Sequence, residues 1–320
     1  ICALIDSGSI YSHQAGLQHD CAPHLRGLFA DCISRLESVG LLIGSRTVVT
    51  RYFGGTYFSF AQAVEFDVLL DIARIAPTGF RDRVLASIIS AASEAVNTVG
   101  KQFAQPLRLR TRSGELKGHL TRKIVQDRQL SVAELVVAWL GKYNALPASQ
   151  GRHAVARADY AQFLNQSNRS YSAIYADPPY TRDHYSRYYH VIETLCLGDE
   201  PAVSASNLSS RRGSSRGMYR ADRHQSAFCI KSKAPEAFRQ LFAGTREHGA
   251  PLLLSYSPYK NAQDSHPRLM TIDAIVAIAQ GHYRSVTVIS PGIYRHSKLN
   301  SSARALLAQE EGELFIICLP

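Results

Sequence analysis

One short run constrains this chain more than any other. The stretch Ser172-Ala173-Ile174-Tyr175-Ala176 passes without a break into Asp177-Pro178-Pro179-Tyr180. An apolar run of that length predicts a strand, and the two prolines predict a stiff loop at its end. Each proline fixes its own φ and removes a backbone donor, so the carbonyls there remain free as acceptors. The surrounding pattern alternates. Tyr185 to Leu197, Pro235 to Glu247 and Thr271 to Ala279 read as helices. His153 to Arg157, Leu252 to Tyr256, Ser285 to Ser290 and Glu313 to Leu319 read as strands. Such alternation predicts an open α/β sheet with helices on both faces. Ligands of these sheets sit beyond the carboxyl ends of the strands, which is where Asp177 falls.

The first half has a different texture. Residues 1–45 read as mixed helix and loop, with a helix over Ala22 to Ser38. Tyr52-Phe53-Gly54-Gly55-Thr56-Tyr57-Phe58 is an aromatic turn built on two glycines. Apolar residues from Arg81 to Gly100 recur at helical spacing, and Gly100 is a natural stop. Lys101, Arg108, Arg110, Arg112, Lys117, Arg122, Lys123 and Arg128 then face only Glu115 and Asp127. Ser131 and Glu134 have capping-box spacing ahead of a helix through Val136, Val137, Trp139 and Leu140. Three parts are expected: a helical N-terminal part over 1–50, a basic helical insert over 51–150, and an α/β core over 151–320.

The formal charge of +10 and a pI of about 9.4 suit a polyanionic partner, although a merely basic soluble protein would show the same balance. Six scattered cysteines, with no Cys-x-x-Cys pair, argue against a zinc ribbon or a disulfide framework. They favour a reducing compartment, and a cytoplasmic location is expected. No apolar run has the length of a membrane span. The chain opens on Ile1 rather than Met, and the expectation is that residues upstream belong to the natural protein.

The Asp-Pro-Pro-Tyr loop suggests a particular chemistry. An exocyclic amine on a nucleobase is a poor nucleophile because its lone pair is delocalised into the ring. The Asp177 carboxylate and the Pro178 carbonyl could hold its two N–H groups, which favours a tetrahedral nitrogen with its lone pair free. The gain would come from positioning and electrostatics, without a covalent intermediate. Pro179 would stiffen the loop, and Tyr180 would stack on a base turned out of its helix. The plainer alternative is an Asp-Pro-Pro turn with Tyr180 in the core.

The segment resembles the active-site motif of the alpha-class (Dam-type) DNA adenine-N6 methyltransferases. That resemblance implies a Rossmann-like α/β fold with a helical target-recognition insert before the motif, where the basic segment lies. It implies S-adenosylmethionine as cofactor and double-stranded DNA as partner, with a cognate restriction endonuclease where such an enzyme is paired with one. His153-Ala154-Val155-Ala156-Arg157-Ala158-Asp159-Tyr160 is similar to the family's strand followed by Asp and an aromatic residue. By that match Asp159 and Tyr160 hold the adenine end of the cofactor, with Asp177 beside them on the cofactor side. Asp159 as the N-cap of a helix from Tyr160 to Leu164 is the competing reading. His296 to Asn300 and Glu313 to Ile317 are similar to the closing hairpin. The family's glycine-rich methionine-binding loop and its N-terminal Lys/Gly motif are not found in this sequence.

Arg182, Arg187, Arg211, Arg212, Arg216, Arg220 and Arg223 follow the motif, interleaved with Tyr185, Tyr188, Tyr189 and Tyr219. With Lys101, Arg108, Arg110 and Arg112, the arginines from Arg182 to Arg216 are candidate DNA contacts. Tyr188, Tyr189 and Ile192 are expected in the core. Gly213-Ser214-Ser215-Arg216-Gly217 fits a hydrolase pattern but lacks the strand and helix that pattern needs, so a Ser/Arg-rich loop is expected there. No zinc-protease, P-loop or Pro-Cys motif occurs, and no metal is expected. The same four-residue motif also occurs in RNA adenine-modifying enzymes. An RNA substrate, or an inactive DNA-binding remnant, are the alternatives to DNA methylation.

Overall fold

The structure, a computed structural model, describes residues 38, 47–104, 106–107, 113, 115, 117–147, 151–206, 213–215, 217–258, 268–292 and 313–320. The helix expected over Ala22 to Ser38 lies outside them except for Ser38. In chain order the elements are α1 (Val48–Phe53), α2 (Phe60–Ile75), α3 (Thr78–Ala95), α4 (Gly118–Arg128), α5 (Val132–Asn144) and α6 (Tyr160–Gln166). Then come β1 (Ile174–Ala176), α7 (Ser186–Leu197), β2 (Ala205–Ser206), β3 (Gly213–Ser214), α8 (Ala234–Glu247), β4 (Leu252–Tyr256), α9 (Ile272–Gln280), β5 (Ser285–Ile289) and β6 (Leu314–Leu319). Contacts divide the chain into one unit of Ile1–Ala148 with Ser186–Arg223 and another of Ser149–Tyr185 with His224–Pro320. The segment Ser186–Arg223, read from sequence as part of the α/β core, therefore packs with the N-terminal residues.

The first unit is helical. Its core joins Val49, Phe53, Tyr57, Phe58, Phe66, Ile88, Ala92, Phe103, Val136 and Leu195, contributed by α1, α2, α3, α5, α7, the aromatic turn and the segment after Lys101. The turn is as expected: Gly55 has φ 76°, a conformation glycine adopts freely, and its amide donates to the Phe58 carbonyl. α2 was not anticipated. It opens on a reciprocal capping box between Ser59 and Gln62, and the Gln62 amide also reaches the Asp127 and Leu130 carbonyls at 2.8 and 3.0 Å. α1 has no side-chain cap of its own. Asp67, buried on α2, accepts from the Val49 and Thr50 amides at 2.9 Å and from the Thr50 hydroxyl at 2.7 Å.

α3 ends at Ala95, earlier than the expected Gly100. Val96 turns extended and is buried, and the Asn97 amide donates to Tyr57 O at 2.8 Å, which draws the chain off the helix axis. Gly100 instead sits at φ 74° within a short 3₁₀ turn. Ser131 does cap α5, accepting from the Glu134 amide at 3.2 Å.

The second unit is the α/β part. Its sheet has the order β1-β4-β6-β5. β1 and β4 are parallel, with Ala176 opposite Leu254. β6 is antiparallel to both β4 and β5. Alternate residues Leu252, Leu254, Tyr256, Ile316 and Cys318 pack with Phe238, Phe242 and Ile275 of α8 and α9. Fully burying side chains of this size contributes about 1.5–3 kcal/mol each. The fold is thus mixed α/β with a parallel pair.

Two expectations differ. Among the described residues the apolar cluster forms on one face of the sheet, while Leu319, on the other register, is 44% exposed. The run His153 to Arg157 is not a strand. It is exposed throughout and has no place in the described sheet.

Candidate active site

β1 delivers Asp177 to the carboxyl edge of the parallel pair. In register the next residue on β4 is Ser255, and β6 brings Glu313 just ahead of Leu314, which lies opposite Tyr256. The Ser255 hydroxyl donates to the Glu313 carboxylate. Asp177 is exposed, Pro178 is buried beneath it, and Pro179 and Tyr180 are half-buried. The Asp177 carboxyl is raised above the ordinary carboxylate range, first by partial burial and then by the Glu313 charge.

Tyr180 is held from three sides. The Arg268 guanidinium lies over its ring at 4.3 Å, and the ring meets Tyr256 edge-on at 5.8 Å. Its backbone carbonyl accepts from the Leu269 amide at 3.2 Å, beside a bridge between Thr181 and Arg268. Arg268 is fixed in turn by donating to the buried Ser257 hydroxyl at 2.7 Å. A planar cation clamped on an aromatic face fixes both orientations. Burial raises the Tyr180 hydroxyl, which therefore stays protonated through the neutral range.

Asp159 and Tyr160 have assigned structural work. Asp159 is the N-cap of α6, its Oδ1 accepting from the Ala161 and Gln162 amides at 3.0 and 3.3 Å. Tyr160 donates to Ala237 O at 3.0 Å and rests on Phe228, with ring centres 5.1 Å apart. One line of aromatic contacts does connect the two motifs. It runs from Tyr160 through Phe228, Phe238 and Tyr256 to Tyr180.

The expected DNA contacts separate into groups. Arg108, Arg110, Arg112, Arg211, Arg212 and Arg216 lie outside the described residues. Arg182 and Arg187 are exposed. Lys101 is bound internally: its ammonium donates to Glu94 O at 2.6 Å and to Asp127 at 2.8 Å, and Lys123 shares that carboxylate. Tyr189 corrects another expectation. It is 58% exposed because α7 buries the stripe His190, Val191, Thr194 and Leu195 instead. Gly213-Ser214 pairs with Ala205-Ser206 as a two-residue ladder, and among the described residues no helix follows it directly.

Sequence reasoning missed Arg268, Ser257, Ser255 and Glu313. Ser255 and Ser257 had a usable signal, since both lie at the carboxyl end of an apolar strand. Nothing in sequence said that this strand neighbours β1. Among the described residues no group of three His, Cys, Asp or Glu could hold a metal ion. No described helix is long and apolar enough to cross a membrane. Comparisons with protein-family models, curated proteins and solved structures gave no match.

Proposed function

We propose that this chain is the catalytic part of a DNA adenine-N6 methyltransferase of Rossmann-like fold, with the helical unit supplying target recognition. One observation carries the reading. Asp177-Pro178-Pro179-Tyr180 lies at the carboxyl end of β1 in a parallel pair, with its tyrosine clamped between Arg268 and Tyr256. β6 (Leu314–Leu319) forms at the second arm of the expected closing hairpin, whose first arm, His296 to Asn300, lies outside the described residues.

The chain's own residues act on the amine. The Asp177 carboxylate and the Pro178 carbonyl accept from its two N–H groups and turn its lone pair outward. Tyr180 presents a fixed face on which the extruded base stacks, worth about 1–3 kcal/mol for such contacts. Burial of Pro178 keeps the acceptor in place, so little reorganisation is needed as charge develops.

S-adenosylmethionine would supply the methyl group. The described residues do not fit it well. Asp159 is engaged as a helix cap, and the Tyr160 hydroxyl is bonded to Ala237. The same observation favours a second reading, a DNA-binding protein without turnover.

Product analysis separates these readings. Duplex DNA and RNA are offered in competition with labelled S-adenosylmethionine, and nucleosides are separated after digestion. N6-methyladenine in DNA is expected. Label only in RNA would move the substrate, and DNA binding without label would favour the second reading.

A further inference from the structure

The helical unit contains a paired arginine arrangement that neither the motif nor the fold explains. Two guanidiniums stack on one tyrosine: Arg187 lies 5.5 Å and Arg223 5.3 Å from the Tyr219 ring centre. Tyr219 is a rigid post. Its hydroxyl donates to Ala104 O, its amide donates to the Ser215 hydroxyl at 3.0 Å, and a Cβ on Gly217 would come within 2.4 Å of its ring. The ring also meets buried His190 edge-on at 5.1 Å.

Among the described residues, no carboxylate acts on Arg223. Nε and Nη1 of Arg223 are buried and have no hydrogen-bond partner. The flanking carboxylates are already bound: Asp199 and Asp222 to buried Arg220, and Glu200 to Arg51. From Pro201 to Ala221 the sequence has no acidic residue. Burial, and then the neighbouring Arg187 charge, lower the Arg223 pKa. Two like charges at one post, with buried N–H groups unsatisfied, call for an oxyanion with several acceptors.

We propose that Arg187 and Arg223, mounted on Tyr219, form a clamp for a backbone phosphate of duplex DNA. The clamp rests on the reading of DNA as substrate, and it positions the duplex without reading its sequence. Arg187 was already a candidate DNA contact. Arg223 is the added residue, and the pairing on Tyr219 is the added geometry.

The test is DNA binding without methyl transfer. Fluorescence-polarisation titrations of a short labelled duplex are run with the full chain from about 50 to 200 mM KCl, for wild type, R223Q, R187Q and R223K. Loss of one phosphate contact lowers the slope of log K against log salt by about 0.9 and weakens binding alike for unrelated sequences. That result is expected for R223Q and R187Q, with R223K between them and wild type. Unchanged slopes in both glutamine variants overturn the clamp. Should R223Q fail to fold by circular dichroism, the exposed R187Q decides alone. Inorganic phosphate at matched ionic strength is titrated in parallel, and phosphate binding with unchanged DNA slopes overturns the DNA assignment. A slope change in a protein that transfers no methyl group leaves the clamp standing and removes only the enzymatic reading.

Discussion

The guanidinium of Arg268 lies over the ring of Tyr180, 4.3 Å from its centre, and is tied to Ser257 at 2.7 Å. The two partners lie 88 positions apart in sequence, yet they form one clamp at the end of β1. Replacing Arg268 by Ala removes a cation–π contact worth about 0.5–2 kcal/mol. Single-turnover methyl transfer should slow by about two- to thirtyfold, with R268K recovering part of the loss. An unchanged rate in R268A would show that Tyr180 does not depend on the clamp.

Gly54 has an ordinary φ but no room. A Cβ there would lie 2.6 Å from the Thr50 carbonyl oxygen and 2.6 Å from the Phe60 ring. Thr50 is buried backbone of α1 and cannot yield easily. G54A should therefore destabilise the helical unit by about 1–3 kcal/mol in denaturant titration. Gly141 is the control: nothing lies within 4 Å of its Cβ position inside α5. G141A should be neutral or stabilise by up to about 1 kcal/mol. Equal effects would contradict the packing.

Two buried groups of the helical unit oppose each other in acid. Burial pushes Asp67 up to about 6, against three hydrogen bonds that pull it down. Its contribution is full below the unfolded value near 4 and is lost as pH rises through about 6. Burial pushes His190 down to about 4, against the Arg187 and Gly217 carbonyls near its ring nitrogens. Its contribution is full above about 6.5 and is lost as pH falls through about 4. Each amounts to roughly 3 kcal/mol, so the slopes largely cancel between pH 4 and 6. D67N should expose the His190 slope, with stability falling more steeply than wild type from about pH 6.5 to 4. Parallel curves for the two proteins would contradict this.

The carboxyl end of β1 was legible because an apolar strand running into Asp-Pro-Pro leaves few conformations open. Leu252 to Tyr256 was readable for a similar reason, since five residues rich in leucine are flanked by Gly249 and Pro258. The exposed run His153 to Arg157 was misread because alternation is equally compatible with a strand that never finds a neighbour. α2 was missed although Ser59 and Gln62 carried a capping signal, because aromatic residues crowded both sides. Arg268 was invisible. Its role depends on β4 lying beside β1, which is a tertiary fact. The position of Lys101 was hidden in the same way. Basic spacing cannot reveal that Asp127 and the Glu94 carbonyl already hold its ammonium.

Asp177 bears the proposed chemistry, and one comparison tests its role most directly. The full-length protein and its D177A variant are incubated with labelled S-adenosylmethionine and unmethylated duplex DNA, and the digest is analysed for N6-methyladenine. The variant should melt like wild type, because Asp177 is exposed, and should lose turnover entirely. Wild-type activity should also fall on the acid side sooner than for an ordinary carboxylate, given the direction of the Asp177 shift. Full activity in D177A, or a wild-type protein that binds DNA and forms no N6-methyladenine, would contradict the account.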